Sequence, residues 1–325
     1  MTKRAGALVI SLDFELHWGV RDLYGPNDSY HENLQGARTV IPKMLALFER
    51  YDIAATWATV GFLFARSKEE LEHYSPEIKP DYENTKLDAY LEPLGESEAT
   101  DPLHYAPSLI EQILQTPKQE LSTHTFSHYY CLEKGQTLEA FRADLVSALA
   151  IAKTWQVAPR SIIFPRNQLN PDYVSTMKEL GITIYRGNER AFMYQAAATD
   201  EHTAFMRLMR LADTYLPATA HNLTSWDHLK DEHGLINIPS SRFLRPVSSK
   251  LGVLEPLRLK RIMSGMIEAA RTGQLYHLWW HPHNFGRDQE ANLAFLEKIL
   301  QHRQSLAKTY GFESLSMLDV AKRLE

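Results

Sequence analysis

The sequence predicts an α/β protein whose parallel strands curl into a barrel. Two observations point there. Short apolar, β-branched runs recur along the chain, and most are followed by a segment with helical spacing. At least seven such runs occur in 325 residues. Runs that are apolar throughout, without alternation, fit strands buried on both faces, as parallel sheets require. Strands alternating with helices build βα units, and this many of them favour a barrel over an open sheet. Such barrels fill about 200–250 residues as one unit. The chain therefore reads as one domain over residues 1–325, with lid-like insertions at about 66–120 and 190–234.

The first strand is expected at residues 7–12 (ALVISL). A helix follows over 40–51, with Val40, Ile41, Met44, Leu45, Leu47 and Phe48 apolar. Strands are expected at 54–60 and 120–123. Residues 139–155 form an amphipathic helix with Phe141, Leu145, Leu149 and Ala152 on one stripe. Next come a strand at 161–164, a helix at 171–180 with Pro171 at its start, and strands at 183–185 and 235–238. A helix at 256–271, a strand at 275–280 and a helix at 291–310 complete the series. Residues 66–104 interrupt it with eleven acidic and four basic residues, suited to covering one end of a barrel.

The 35 basic and 40 acidic residues leave a net charge of −5, which argues against a nucleic-acid partner. A single cysteine, Cys131, excludes a disulfide framework and a multi-cysteine zinc site. The apolar run after Lys3 and Arg4 is cut by Asp13 before any cleavage site, so a signal peptide is not expected. No stretch approaches the ~20 apolar residues of a membrane span. The expected location is cytoplasmic; the oligomeric state stays open, a homo-oligomer included.

Four clusters can carry chemistry. Asp13-Phe14-Glu15 ends the first strand, and alternation puts both carboxylates on one side. That end is where βα barrels build active sites. His124 and His128, at i and i+4, would share one face of a helical turn and could grip a metal ion. His281 and His283 follow an apolar strand, where a histidine can serve as general acid. Arg166, in Pro165-Arg166-Asn167 after another strand, could orient a catalytic carboxylate through a paired hydrogen bond.

In this order the clusters resemble the polysaccharide deacetylase family, also called NodB-homology or carbohydrate esterase 4. The similarity runs from about Ala7 to the C-terminus; residues 52–62 (DIAATWATVGF) and 234–239 (GLINIP) resemble two of its strands. The resemblance implies a distorted (β/α)7 barrel and metal-dependent removal of acyl groups from sugars. Most members carry adjacent aspartates in the first motif; here Phe14 stands at the second, which looks like an acid-x-acid branch. By that likeness Asp13 is the general base, and Glu15, His124 and His128 are metal ligands. His281 or His283 is the general acid, with His281 favoured by the local His-Pro. The usual Arg-x-Pro motif is Pro165-Arg166-Asn167 here, with Arg166 as the matching arginine. His283, Asn167, a backbone amide near Tyr129, and the faces of Trp18, Trp279 and Trp280 are expected around the substrate.

Two histidines and a carboxylate suit zinc, and also cobalt, nickel, manganese or iron. Within 242–261, Arg242, Arg245, Lys250, Arg258, Lys260 and Arg261 outnumber Glu255, and could hold a phosphate or diphosphate at the mouth. The expected reaction is hydrolysis of an N-acylated sugar, as a nucleotide- or lipid-linked intermediate of surface-polysaccharide assembly. Hydrolysis of a non-sugar amide or cyclic ureide is an alternative. A non-catalytic, metal-containing carbohydrate-binding module is another.

Overall fold

A computed structural model describes residues 4–25, 28–189, 194, 204–215 and 219–325. Residues 1–3 of the expected N-terminal segment and most of 190–203 in the second insertion lie outside them. In chain order the elements are β1 (Ala7–Phe14), α1 (His31–Arg50), β2 (Ala55–Thr59), α2 (Lys68–Tyr74), α3 (Pro107–Gln115) and β3 (Gln119–Thr123). There follow α4 (Leu138–Lys153), β4 (Ser161–Ile162), α5 (Val174–Glu179), β5 (Ile184–Tyr185), α6 (Ala204–Tyr215), β6 (Ile236–Asn237) and β7 (Arg242–Phe243). The chain ends with α7 (Glu255–Thr272), β8 (Leu275–Trp280), α8 (Gln289–Tyr310), β9 (Glu313–Leu315) and α9 (Met317–Lys322).

The strands lie in the order β6-β5-β4-β3-β2-β1-β8-β7, with β9 added against β1. Their ladders are parallel. Only residues 238–241 separate β6 from β7, the two ends of this path. Ile238 and Ser240 donate backbone N–H bonds to Tyr185 and Gly187, while Ser241 and Leu244 donate to His277 and Trp279. One extended run thus bonds β5 with its first half and β8 with its second. It closes a distorted (β/α)7 barrel, with Pro239, which has no N–H to give, at the switch.

Period-two alternation along β1 divides the core. Leu8, Ile10, Leu12 and Phe14 point out into the layer of helices; Ala7 and Val9 point into the barrel with Ala58, Ile163, Ile184 and Ile238. Met317, Val320 and Ala321 of α9 plug its lower end. The inward series continues upward from Ala7 and Val9 to Ser11 and Asp13, so the polar end of β1 emerges at the upper rim. β9 and α9 were not foreseen. Within the first expected insertion, α3 leads into β3 with Leu109, Ile110 and Ile113 buried. No helix among the described residues is long and apolar enough to cross a membrane.

Candidate metal-dependent active site

The upper rim gathers Asp13 and Glu15 from β1, His124 and His128 after β3, Arg186 after β5, and His281 and His283 after β8. The histidine pair does not come from a helical turn, as its spacing suggested. Residues 124–130 form a loop in which Thr125 (φ 65°) and His128 (φ 59°) adopt the left-handed region. Leu16, Arg166 and Asn167 do so nearby, so backbone strain concentrates around the site. The loop is pinned from α4, where Asp144 accepts N–H bonds from Phe126 (2.6 Å) and Ser127 (3.0 Å) and a hydroxyl bond from Ser127. Burial raises the Asp144 carboxyl to about 6 despite these bonds.

Glu15 lies at the centre of four imidazoles. Its Oε2 is 3.0 Å from His128 Nε2 and 3.3 Å from His124 Nε2. Its Oε1 is 3.5 Å from His281 Nε2 and 3.9 Å from His283 Nε2. His124 Nδ1 donates to the carbonyl of Ile163 at 2.8 Å. A carbonyl can only accept, so in the neutral ring Nε2 is bare. That buried nitrogen has no hydrogen-bond partner and faces a carboxylate oxygen. Two acceptors facing each other call for a cation between them. The outer bond to a carbonyl is also the usual way of orienting a metal-ligating histidine. Glu15, His124 and His128 therefore fit a divalent metal, and the donor set is one zinc accepts.

Charge states agree with that chemistry. Burial opposes ionisation of Glu15, but His281, His124 and His128 outweigh it and hold its carboxyl well below the usual range. Burial lowers His128 to about 4, against the pull of Glu15, keeping it a neutral donor. His283 is lowered to about 3, by burial and by its neighbour His281.

Asp13 is held differently. Arg186 Nη1 and Nη2 donate to its two oxygens at 2.6 and 2.8 Å. Burial opposes ionisation here too, yet Arg186 outweighs it and keeps the carboxyl below its ordinary value. Arg186 also donates to Ser11 Oγ (3.0 Å) and Asn167 Oδ1 (2.8 Å) and lies over the Trp279 ring. Ser11 in turn bonds His277 Nε2 at 2.9 Å. Burial and Arg186 lower His277 to about 3.

Several expected roles need correction. The paired hydrogen bond on the catalytic carboxylate comes from Arg186. Arg166 instead pairs with Asp22 at 2.5 Å and covers the Tyr130 ring. Trp18 offers no face to a sugar; it is buried edge-on against Phe62, its indole N–H on the His104 carbonyl. Trp280 is core beside Phe48 and Phe285, whereas Trp279 lines the rim cavity. The Tyr129 amide is already engaged by Thr125 Oγ1 at 2.7 Å. His281 keeps 24 % of its side chain exposed and reaches to 3.8 Å of Asp13, while His283 is buried behind it. Arg186 and His277 escaped notice because neither sits in a motif. Arg186 had one signal: it follows a short apolar strand, as Asp13 does.

The polysaccharide deacetylase family profile matches residues 28–185. No curated protein matches the sequence. Among solved structures, the fold is similar to a Mycobacterium smegmatis protein assigned to the polysaccharide deacetylases (TM-score 0.62, 12% identity, 99% of this chain and 90% of that one). A Pseudomonas aeruginosa PAO1 protein with the same assignment follows (TM-score 0.56, 12% identity, 97% and 89%). A 4-alpha-glucanotransferase from Thermococcus litoralis has a similar core (TM-score 0.55, 11% identity, 98% and 40%). The barrel is thus shared with enzymes that transfer glucans, and the reaction must be argued from the site.

Proposed function

We propose that the chain is a metal-dependent amide hydrolase removing an acyl group from an N-acylated sugar; the match of the polysaccharide deacetylase profile to residues 28–185 and the likeness of the barrel to proteins assigned to that family support this reading. The observation that carries this reading is the pairing of two differently held carboxylates: Glu15 facing the bare Nε2 of His124, and Asp13 fixed by a guanidinium fork. A glycosidase needs one raised and one ionised carboxyl group with no call for four histidines. Here both carboxyls are held low.

Glu15, His124 and His128 would hold the divalent ion, zinc foremost, which when bound polarises an acyl carbonyl and acidifies water. Asp13, ionised and with its lone pairs oriented by Arg186, accepts the proton of the attacking water. His281, open to the cavity, donates a proton to the departing amine nitrogen. Trp279 and Asn167 line the space where the sugar lies. Asp13 is not among the ligands, so its loss separates chemistry from metal binding.

The substrate is proposed to carry a phosphate or diphosphate, as nucleotide- and lipid-linked sugars do. A cavity of about 260 Å³ opens beside His281 and Trp279, and Arg166, Arg210, Arg242 and Arg245 line it with no carboxylate among its lining residues. Arg242 is buried; its Nη1 pairs with Asp213 at 3.3 Å, while its Nε and Nη2 have no hydrogen-bond partner. The rest of the basic segment is turned elsewhere: Arg258 pairs with Glu255 and Arg261 with Asp213, while Lys250 and Lys260 are exposed.

The test is acyl release from a panel of N-acetyl and N-formyl amino sugars, free, nucleotide-linked and polyprenyl-linked, with zinc- or cobalt-loaded protein. Expected is turnover that falls by 10²–10⁴ in Asp13→Asn at unchanged metal content. Full metal loading without hydrolysis of any acylated amino sugar refutes the reading. Turnover of a cyclic ureide instead would move the site to non-sugar amides.

A further inference from the structure

A second group of ligand-type side chains lies away from the centre just described. His17 stands two residues beyond Glu15, in the turn Leu16–Gly19, and His104 and Glu92 come from the acidic insertion. Both histidines are buried and Glu92 is 23% exposed.

Hydrogen bonds on the far side of each ring fix where the protons are. His17 Nε2 lies 3.1 Å from the carbonyl of Tyr24. The carbonyl only accepts, so Nε2 carries the hydrogen and Nδ1 is bare. His104 Nδ1 lies 2.8 Å from both oxygens of Asp101. Asp101 is an acceptor on its other side too, taking the N–H of Gly95 on Oδ2 at 3.0 Å. Nδ1 of His104 therefore donates, and its Nε2 is bare. These two bare nitrogens face each other at 2.8 Å. Glu92 Oε1 completes the triangle at 3.8 and 4.0 Å.

Three lone pairs aimed at one point require a cation. A shared proton would join only the two imidazole nitrogens and leave Glu92 Oε1, at 3.8 and 4.0 Å, beyond hydrogen-bond reach of either. A divalent ion fits better. Tetrahedral bonds of about 2.1 Å separate ligand atoms by about 3.4 Å, a value the three observed separations bracket. Both rings also have the outer support that metal-bound histidines use, one on a carboxylate and one on a carbonyl. With Glu92 and Asp101 ionised, a doubly charged ion leaves the group neutral. An open depression lined by Arg21, Asp22, Tyr24, Asp88 and Glu92 gives ion and water a way in.

We propose that His17 Nδ1, His104 Nε2 and Glu92 Oε1 form a second divalent-metal site, of zinc type, clamping the acidic insertion to the turn that follows Glu15. The site is structural, and it stands whether or not the chain hydrolyses amides.

The test counts metal per chain after loading with zinc or cobalt(II) and removing excess ion. Wild type is expected to hold about two equivalents, and His124→Ala/His128→Ala about one. The remaining cobalt should show the visible absorption of a tetrahedral site. Adding Glu92→Gln or His104→Gln to that double variant should abolish it; the glutamine at 92 guards against a folding defect. One equivalent in wild type and none in the double variant overturns the proposal and leaves the amidase reading intact. One equivalent that survives in the double variant but is lost in His104→Gln does the reverse.

Discussion

Arg186 and Asp13, 173 residues apart in sequence, meet through two parallel N–H bonds of 2.6 and 2.8 Å. The guanidinium does two things at once. It fixes the plane of the carboxylate, and it overcomes the burial that would otherwise protonate it. A lysine keeps the charge but not the fork. Arg186→Lys is therefore expected to lower kcat by about 10–100-fold. Because the Asp13 carboxyl then rises, the acid limb of the kcat/KM profile should move to higher pH. An unchanged profile would show that Arg186 only supports the barrel.

Gly19 leaves room for Glu15. A Cβ at position 19 would come within 2.0 Å of the Glu15 carboxylate. Gly19→Ala must push that side chain away from His124 and His128. Metal affinity, measured by chelator competition, should weaken about 10–100-fold, the scale of losses when a ligand's support is disturbed. The circular dichroism spectrum should be unchanged.

His281 is assigned proton donation to the leaving amine. That role matters most when the leaving group is poor. His281→Gln should reduce amide hydrolysis by about 10²–10⁴ while sparing an activated aryl ester, whose leaving group departs unprotonated. Equal losses on both substrates would instead make His281 a binding residue.

Arg245 lines both the rim cavity and the adjoining cationic one and bonds Thr214 at 3.0 Å. For a substrate with a phosphate seated there, Arg245→Ala should raise KM by about tenfold or more, the worth of one charged hydrogen bond. For a neutral N-acyl sugar KM should hardly change. Equal effects on both would remove the phosphate from this cavity.

His277 should make stability depend on pH. Burial and Arg186 lower it to about 3 in the folded chain. Above about pH 6.5, the ordinary histidine value, both states are neutral and nothing is lost. As the pH falls from there towards 3, only the unfolded chain takes up the proton, so stability declines across that window. A series of melting temperatures should show this slope, and His277→Gln should lessen it, leaving the share of His128 and His283, lowered to about 4 and about 3.

Much of the barrel was readable because buried parallel strands leave contiguous apolar runs, and 275–280 was placed to the residue. Elements with short or mixed runs were not. β7 is Arg242-Phe243, and β9 is only three residues, just past the last expected helix. Asp13, Glu15, His124, His128, His281 and His283 stood out because each lies in a compact cluster at a strand end. What joins them does not. The bond of Arg186 to Asp13 and the chain from Ser11 to His277 depend on which strands become neighbours. The left-handed turns at Thr125 and His128 gave the i, i+4 pair its convergence without the helix that the spacing suggested.

The split strand at 236–244 bears on how the protein is made. β1 is synthesised well before its partners on one flank, β8 and β9. Until they arrive, Asp13 and Glu15 sit on a strand with an open edge, and His281 does not yet exist beside them. A chain stalled on the ribosome before residue 275 thus has carboxylates without their final surroundings. Closure of the ring and completion of the reactive centre, His281 included, therefore both wait for β8.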